Sequence, residues 1–186
     1  TLADLPGRWD AVVVAAPSAE AARLVAERSP DAAAELTAVD YASVAQVVVE
    51  LPRSGVSREL DASGVLFPQV EGRMLTACTW LSSKWAHYHR PDAVLLRLSS
   101  GRFGDDRHAD LDDDSLVSQL LDDLRSVEQI TTAPRARRVT RWARAFPQYR
   151  PGHEARVARM GAALASDAPE LRLVGADQEQ APVGVV

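Results

Sequence analysis

What most limits the fold of this chain is a change of texture after Tyr41. Four short β-rich runs follow: Ala42–Leu51 (ASVAQVVVEL), Ser63–Pro68 (SGVLFP), Met74–Leu81 (MLTACTWL) and Pro91–Ser100 (PDAVLLRLSS). Branched and apolar residues dominate them, as in strands that pack against a core. Gly72-Arg73 separates the second run from the third, and Ser82 to Arg90 separates the third from the fourth. Connections this short favour antiparallel neighbours. The middle of the chain therefore reads as an antiparallel sheet.

The flanks read differently. Asp10–Pro17 (DAVVVAAP) is a continuous apolar run ended by Pro, the pattern of a strand buried on both faces. Ser18 is placed to cap a helix through SAEAARLVAERS, with Ala22, Leu24, Val25 and Arg28 on one side. A second short helix follows, with Pro30 at its first position. A strand, a turn and a helix thus open the chain, as in half of an α/β unit. Beyond the sheet, Asp112-Asp113-Asp114 opens a helix to about Glu128, with Leu116, Leu120, Leu121 and Leu124 as its apolar stripe. The acidic run Asp110 to Asp114 reads as capping and a solvated face, since it lacks the Gly and distant Glu of a calcium loop. Pro134 to Trp142 reads as a strand, Pro151 to Ser166 as a helix and Leu171 to Gly175 as a final strand. The stretch Arg141–Tyr149 (RWARAFPQY) has neither a helical nor a strand period.

A chain of 186 residues forms one large domain or two small ones. Its net charge of −5 argues against general nucleic-acid binding, which needs a basic face. No apolar run approaches the roughly 20 residues of a membrane span. The beginning, TLADLPGRWD, lacks an initiator Met and any signal-peptide pattern, and reads as part of a longer chain. The single Cys78 excludes an internal disulfide and a cysteine metal cluster, and suits a reducing compartment.

No self-contained catalytic centre emerges residue by residue. His87 and His89 share a polar connection with Lys84 and Arg90 and have no third ligand nearby, so they read as solvated and no metal is expected. There is no G-x-S-x-G elbow, no G-x-x-x-x-G-K-S/T loop and no G-x-G-x-x-G. Cys78 sits mid-strand and reads as a buried, inert thiol. Two aromatic stretches remain: Thr76–Trp85 and Arg141–Tyr149. Each could be plain packing or a flat wall for an aromatic cofactor.

These stretches carry a resemblance. The chain resembles the C-terminal part of the FAD-dependent protoporphyrinogen/coproporphyrinogen oxidase family of haem biosynthesis. The matching pieces are Asp10–Pro17; Val70-Glu71-Gly72-Arg73 with Thr76–Thr79 and Ser82-Ser83-Lys84-Trp85; Leu95-Leu96-Arg97 through Gly101-Arg102-Phe103-Gly104; and Trp142-x-x-Ala145-x-Pro147-Gln148-Tyr149-x-x-Gly152-His153, followed by Leu171–Ala176. The family's G-x-G-x-x-G loop is absent, and after Ala176 the chain departs from the family's Gly-rich flavin turn.

The resemblance implies an α+β fold, with an antiparallel-sheet substrate domain and pieces of an interleaved FAD-binding α/β domain. Residues 1–40 would belong to the FAD-binding domain. Residues 41–140 would form the substrate sheet with helix 112–128. Residues 141–176 would return to the FAD-binding domain, and 177–186 would be a divergent tail. It implies FAD as cofactor, with Trp142, Gly175 and Ala176 contacting it. It implies a porphyrinogen and dioxygen as substrates, the missing N-terminal half of the flavin domain as partner, and a cytoplasmic setting, with the parent able to sit at a membrane surface. Lys84, Arg97, Arg102 and Arg141 could anchor propionates, but each reads first as surface charge. The activity implied for the parent is porphyrinogen oxidation, and this chain alone is expected to be inactive. The alternatives are a non-catalytic interaction domain or another flavin amine-oxidase-like enzyme.

Overall fold

The structure, a computed structural model, describes Gly7 and residues 9–176. Along the chain the elements are β1 (Val12–Val14), α1 (Ser18–Val25), α2 (Pro30–Thr37), β2 (Tyr41–Pro52), β3 (Gly64–Leu66), β4 (Leu75–Trp80), α3 (Leu81–Lys84), β5 (Ala93–Ser100), α4 (Asp113–Arg125), β6 (Ala136–Pro147), α5 (His153–Asp167) and β7 (Leu171–Leu173). They gather into two units. One joins the chain up to Tyr41 with the chain from Pro147 onward, and the other is Ala42–Phe146.

In the discontinuous unit, β1 and β7 pair in parallel, Val12 opposite Leu171 and Val14 opposite Leu173. Small residues let the three helices close on one core. Ala21, Ala22 and Val25 of α1 meet Ala32, Ala33 and Leu36 of α2, and Met160 and Leu164 of α5. Glu35 ties α2 to α5: it accepts two bonds from Arg159 at 2.5 and 2.9 Å and lies 3.4 Å from Arg156. The Arg159 hydrogen bonds hold its carboxyl below the ordinary carboxylate range. Two expectations are corrected here. The first strand is three residues long and is not buried on both faces, because Val13 is 60% exposed. Ser18 does not cap α1. Its hydroxyl and its N–H both reach Tyr41 Oη, at 3.0 and 3.1 Å, and Pro17 occupies the cap position.

The continuous unit is a five-stranded sheet in the order β3-β4-β5-β2-β6. The β3–β4 and β4–β5 pairs are antiparallel, as their short connections favour, and β2 pairs antiparallel with β5 across the chain that holds β3 and β4. Strict alternation along β2 and β5 puts Val47, Val49, Leu51, Leu96 and Leu98 on one face, where α4 covers them with Leu116, Leu120 and Leu124. Asp112 caps α4 by accepting the Ser115 N–H at 2.7 Å. At the other end of α4, the Asp123 carboxylate accepts the N–H groups of Met74 and Leu75 at 2.9 and 3.0 Å, which fixes where β4 begins. The last strand is corrected: β6 runs on to Pro147, through the stretch that showed no period. Consequently the expected return near residue 141 falls inside β6, and the change of unit comes between Phe146 and Pro147. Nearly all side chains of β6 are exposed, so no hydrophobic alternation marks it. Among the described residues, no helix is long and apolar enough to cross a membrane.

Candidate functional site

The β4–α3 corner, built from Trp80 to Trp85, is a brace. Trp80 is 2% exposed and lies in the core, with the Arg58 guanidinium 5.2 Å from its ring centroid. Ser82 Oγ accepts the Leu95 N–H at 2.8 Å and donates to Tyr88 O at 3.3 Å. Ser83 Oγ donates to Ala62 O at 2.9 Å. Lys84 Nζ lies 4.7 Å from the Trp85 ring centroid. These bonds tie the corner to β5 and to the turn before β3. Trp80 therefore forms no surface for a ligand.

Trp142 is 44% exposed although the chain around it is held firmly. Arg141 pairs with Asp113 and donates to Leu111 O at 2.8 Å. Two residues on, Arg144 sits at φ +50, and its N–H donates to Ser43 Oγ at 3.1 Å. Left-handed backbone at a non-glycine residue interrupts the pleat of β6. An open indole on a fixed backbone suits stacking against a flat ligand.

Gly175 and Ala176 lie beyond β7, in the other unit, and both are exposed. Sequence reasoning missed their neighbour Tyr149. Its hydroxyl donates to Ala176 O, and its ring stacks on His153 with centroids 4.4 Å apart and planes at 17°. The PQY..GH spacing was the available signal, since it puts Tyr149 four residues before His153.

The other candidates are soon placed. His87 and His89 are exposed, and no metal-binding cluster occurs among the described residues. Cys78 is buried, and desolvation pushes its thiol up to about 12, so it is inert. Arg102 Nη2 reaches Arg73 O at 3.5 Å. Arg97, in mid-β5, donates to Thr79 Oγ1 at 3.4 Å and to no other group among the described residues. Three surface grooves lie along α5 and β7, between α4 and β6, and between α2 and α5. None of the three is lined by Trp142, Gly175 or Ala176.

His108 is a buried titratable group of the continuous unit, 3% exposed in a tight turn after β5. Burial pushes its pKa below 6.5, Asp106, Asp105 and Asp110 pull it up, and Arg141 pushes it down. The folded protein thus prefers neutral His108. As pH falls through the unfolded value near 6.5, the unfolded chain takes up a proton that the fold resists, so stability falls. Carboxylates with lowered pKa, such as Asp105 and Asp112, matter only at lower pH, below about 4. The urea midpoint should drop between about pH 7.5 and 5.5, and His108→Gln should flatten that slope. An unchanged slope in the variant would remove His108 as its source.

Comparison with known proteins now identifies the class. Residues 4–179 match the family described as flavin containing amine oxidoreductase, and the chain belongs to that family. Within it the relatives are narrower. The chain is 35% identical over 170 residues to a coproporphyrinogen III oxidase of Bacillus subtilis, covering 91% of this chain and 36% of that protein. It is 41% identical over 160 residues to a coproporphyrinogen III oxidase of Mycobacterium tuberculosis, covering 85% and 34%. The chain therefore spans about a third of the curated relatives it matches. Among solved structures, a candidate protoporphyrinogen oxidase from Exiguobacterium sp. 255-15 superposes with a TM-score of 0.76 at 25% identity, over 90% of this chain and 36% of that one. Reduced UDP-galactopyranose mutase, at 12% identity and a TM-score of 0.67, shares the fold over 87% of this chain and 35% of that one. The expected α+β architecture, an antiparallel sheet with pieces of a flavin-binding α/β domain, is borne out.

The family's flavin fits the described residues in part. An exposed, backbone-anchored Trp142 suits an aromatic ring. A pyrophosphate does not fit at α1: Pro17 has no N–H, and the Ser18 N–H is already taken by Tyr41 Oη.

Proposed function

We propose that this chain forms the C-terminal segment of an oxygen-dependent FAD porphyrinogen oxidase. It would supply the substrate sheet and part of the flavin-binding domain, and act on coproporphyrinogen III or protoporphyrinogen IX. The observation that carries this reading is the match to coproporphyrinogen III oxidases along 85–91% of the chain at 35–41% identity. When bound, the flavin accepts the hydrogens removed from the macrocycle, and dioxygen reoxidises it. The chain's own residues bind and orient. In the continuous unit Trp142 offers its indole to the flavin; in the discontinuous unit Gly175 and Ala176 are the residues proposed to contact it, with Tyr149 holding the Ala176 carbonyl. The pyrophosphate donors must come from elsewhere, because no glycine-rich turn is present in these residues. The proposed setting is the cytoplasm, where Cys78 stays reduced.

The test combines this chain with the flavin-binding N-terminal segment of the Bacillus subtilis relative. The expected result is flavin absorbance in the complex and oxygen-dependent conversion of coproporphyrinogen III to fluorescent porphyrin. Absence of both overturns the proposal, and turnover of amines in place of porphyrinogens would redirect it to an amine oxidase. In that complex Trp142→Ala should weaken flavin binding about tenfold, the scale of one lost aromatic contact. Thermal stability should stay unchanged, because the side chain is exposed. Flavin affinity equal to that of the unsubstituted protein would remove Trp142 from the cofactor site.

A further inference from the structure

Arg97 occupies the middle of β5, on the sheet face away from α4. Leu96 and Leu98 point into the core, while Leu95, Arg97 and Ser99 are half-buried on the other face. The register sets Val48 of β2 on one side of Arg97 and Thr79 of β4 on the other. Beyond Thr79 the row ends at Gly64, which has no side chain to fill the face.

In this row the guanidinium is left nearly alone. It makes one long bond, to Thr79 Oγ1 at 3.4 Å, and its Nε is buried without a partner. Among the described residues no carboxylate pairs with it. Glu50 is diagonal to it, opposite Leu95, but lies 4.0 Å from Arg135 instead. Arg73, Arg107, Arg135, Arg137 and Arg141 of this unit each pair with an acid, respectively Glu71, Asp105, Asp92, Asp114 and Asp113, whereas Arg102 shares the unmet Nε but stands past the end of β5, outside the strand row. A half-buried cation with unmet donors is unfavourable until an anion meets it. A planar five-donor fork on a flat, mixed face with Val48, Leu95 and Thr79 best matches a planar carboxylate on an otherwise apolar ligand.

We propose that Arg97 is the anchor of this sheet face and takes a carboxylate of the ligand laid across it. This rests on the porphyrinogen reading, which supplies a flat ligand with carboxylate arms, and it selects Arg97 from four basic candidates. Arg141 pairs with Asp113, Lys84 lies against Trp85, and Arg102 lies beyond the end of β5 and off this row of the sheet.

The test uses the full 186-residue chain. First, sodium propionate is titrated at constant ionic strength while the Nε–H resonance of Arg97 is followed. A saturable shift is expected, absent with chloride. No saturable shift, or one produced by inorganic phosphate and not by propionate, overturns the anchor. Second, coproporphyrin III and its tetramethyl ester are titrated into the chain, Arg97→Leu and Arg97→Lys. Both variants should bind the acid about tenfold more weakly and bind the ester as the parent chain does. Both should melt with the parent, since only one long bond is lost, and Arg97→Lys keeps the charge if Arg97→Leu folds poorly. Equal affinity of parent chain and variants for the acid overturns the anchor and leaves the porphyrinogen reading standing. A propionate shift without any porphyrin binding by the chain keeps the anchor, and the porphyrinogen reading is then decided by turnover in the complex with the N-terminal segment.

Discussion

Gly101→Ala is expected to cost the sheet unit about 3–5 kcal/mol, enough to unfold a marginal domain. Gly101 follows β5 at φ +95, where an L side chain is strained by about 1–3 kcal/mol. The added Cβ would also lie 2.4 Å from Ser43 O and 2.9 Å from Val44 Cα, both backbone atoms of β2. It would lie 2.7 Å from His108 Cε1 as well. Strand backbone held by its ladder cannot move aside as a flexible side chain can. Urea denaturation followed by circular dichroism should show a much lower midpoint or loss of soluble protein. A midpoint corresponding to less than about 1 kcal/mol of change would sink the steric account. The Gly101-Arg102-x-Gly104 element of the family resemblance then has a structural reason at its first position: the chain leaves β5 where neighbouring backbone leaves no room for a Cβ.

Trp80→Ala is the second large effect, expected near 3–5 kcal/mol, the usual cost of emptying a buried Trp site. Trp80 is among the largest fully buried side chains, and it packs with Val56, Cys78 and Leu96 in the core cluster of the sheet unit. Its loss also removes the ring under Arg58, whose other partner is the buried Glu128 at 3.2 Å. The control is Trp142→Ala, the same truncation at an exposed position, which should change the midpoint by no more than about 0.5 kcal/mol. Equal midpoints for the two variants would refute the division of the tryptophans into core and open site.

That division shows where legibility ended. As sequence, Trp80 and Trp142 looked alike: each stood at or near a strand end beside polar and basic residues. Alternation along β4 pointed one into the core, whereas β6 buries almost nothing and so leaves no period to read. For the same reason the sequence pattern ends the strand at Trp142, whereas β6 runs to Pro147. An edge strand is held by backbone bonds to its one neighbour and by ion pairs of long side chains, and neither imposes a hydrophobic pattern. Ser18 failed differently. Its capping chemistry was plausible locally, but Tyr41 supplies a hydroxyl that competes for both of its polar groups. Of the candidate site, Trp142, Gly175 and Ala176 came from family resemblance, while the Tyr149 link to Ala176 came from the structure alone.

By itself, the sequence determined the α+β class, the antiparallel sheet, the α4 stripe and the family. All of these rest on short-range regularities, periodicity and motif spacing, that a chain carries before it folds. The tertiary structure alone decided that Trp80 is buried while Trp142 is open, and that Arg97 has no acid beside it among the described residues. Arg141 finds Asp113 and Arg137 finds Asp114 across the unit, while Arg97, in mid-strand, finds only Thr79 among the described residues. Charge pairing between distant segments depends on register and topology, and nothing in the local sequence around Arg97 distinguishes it from its paired neighbours.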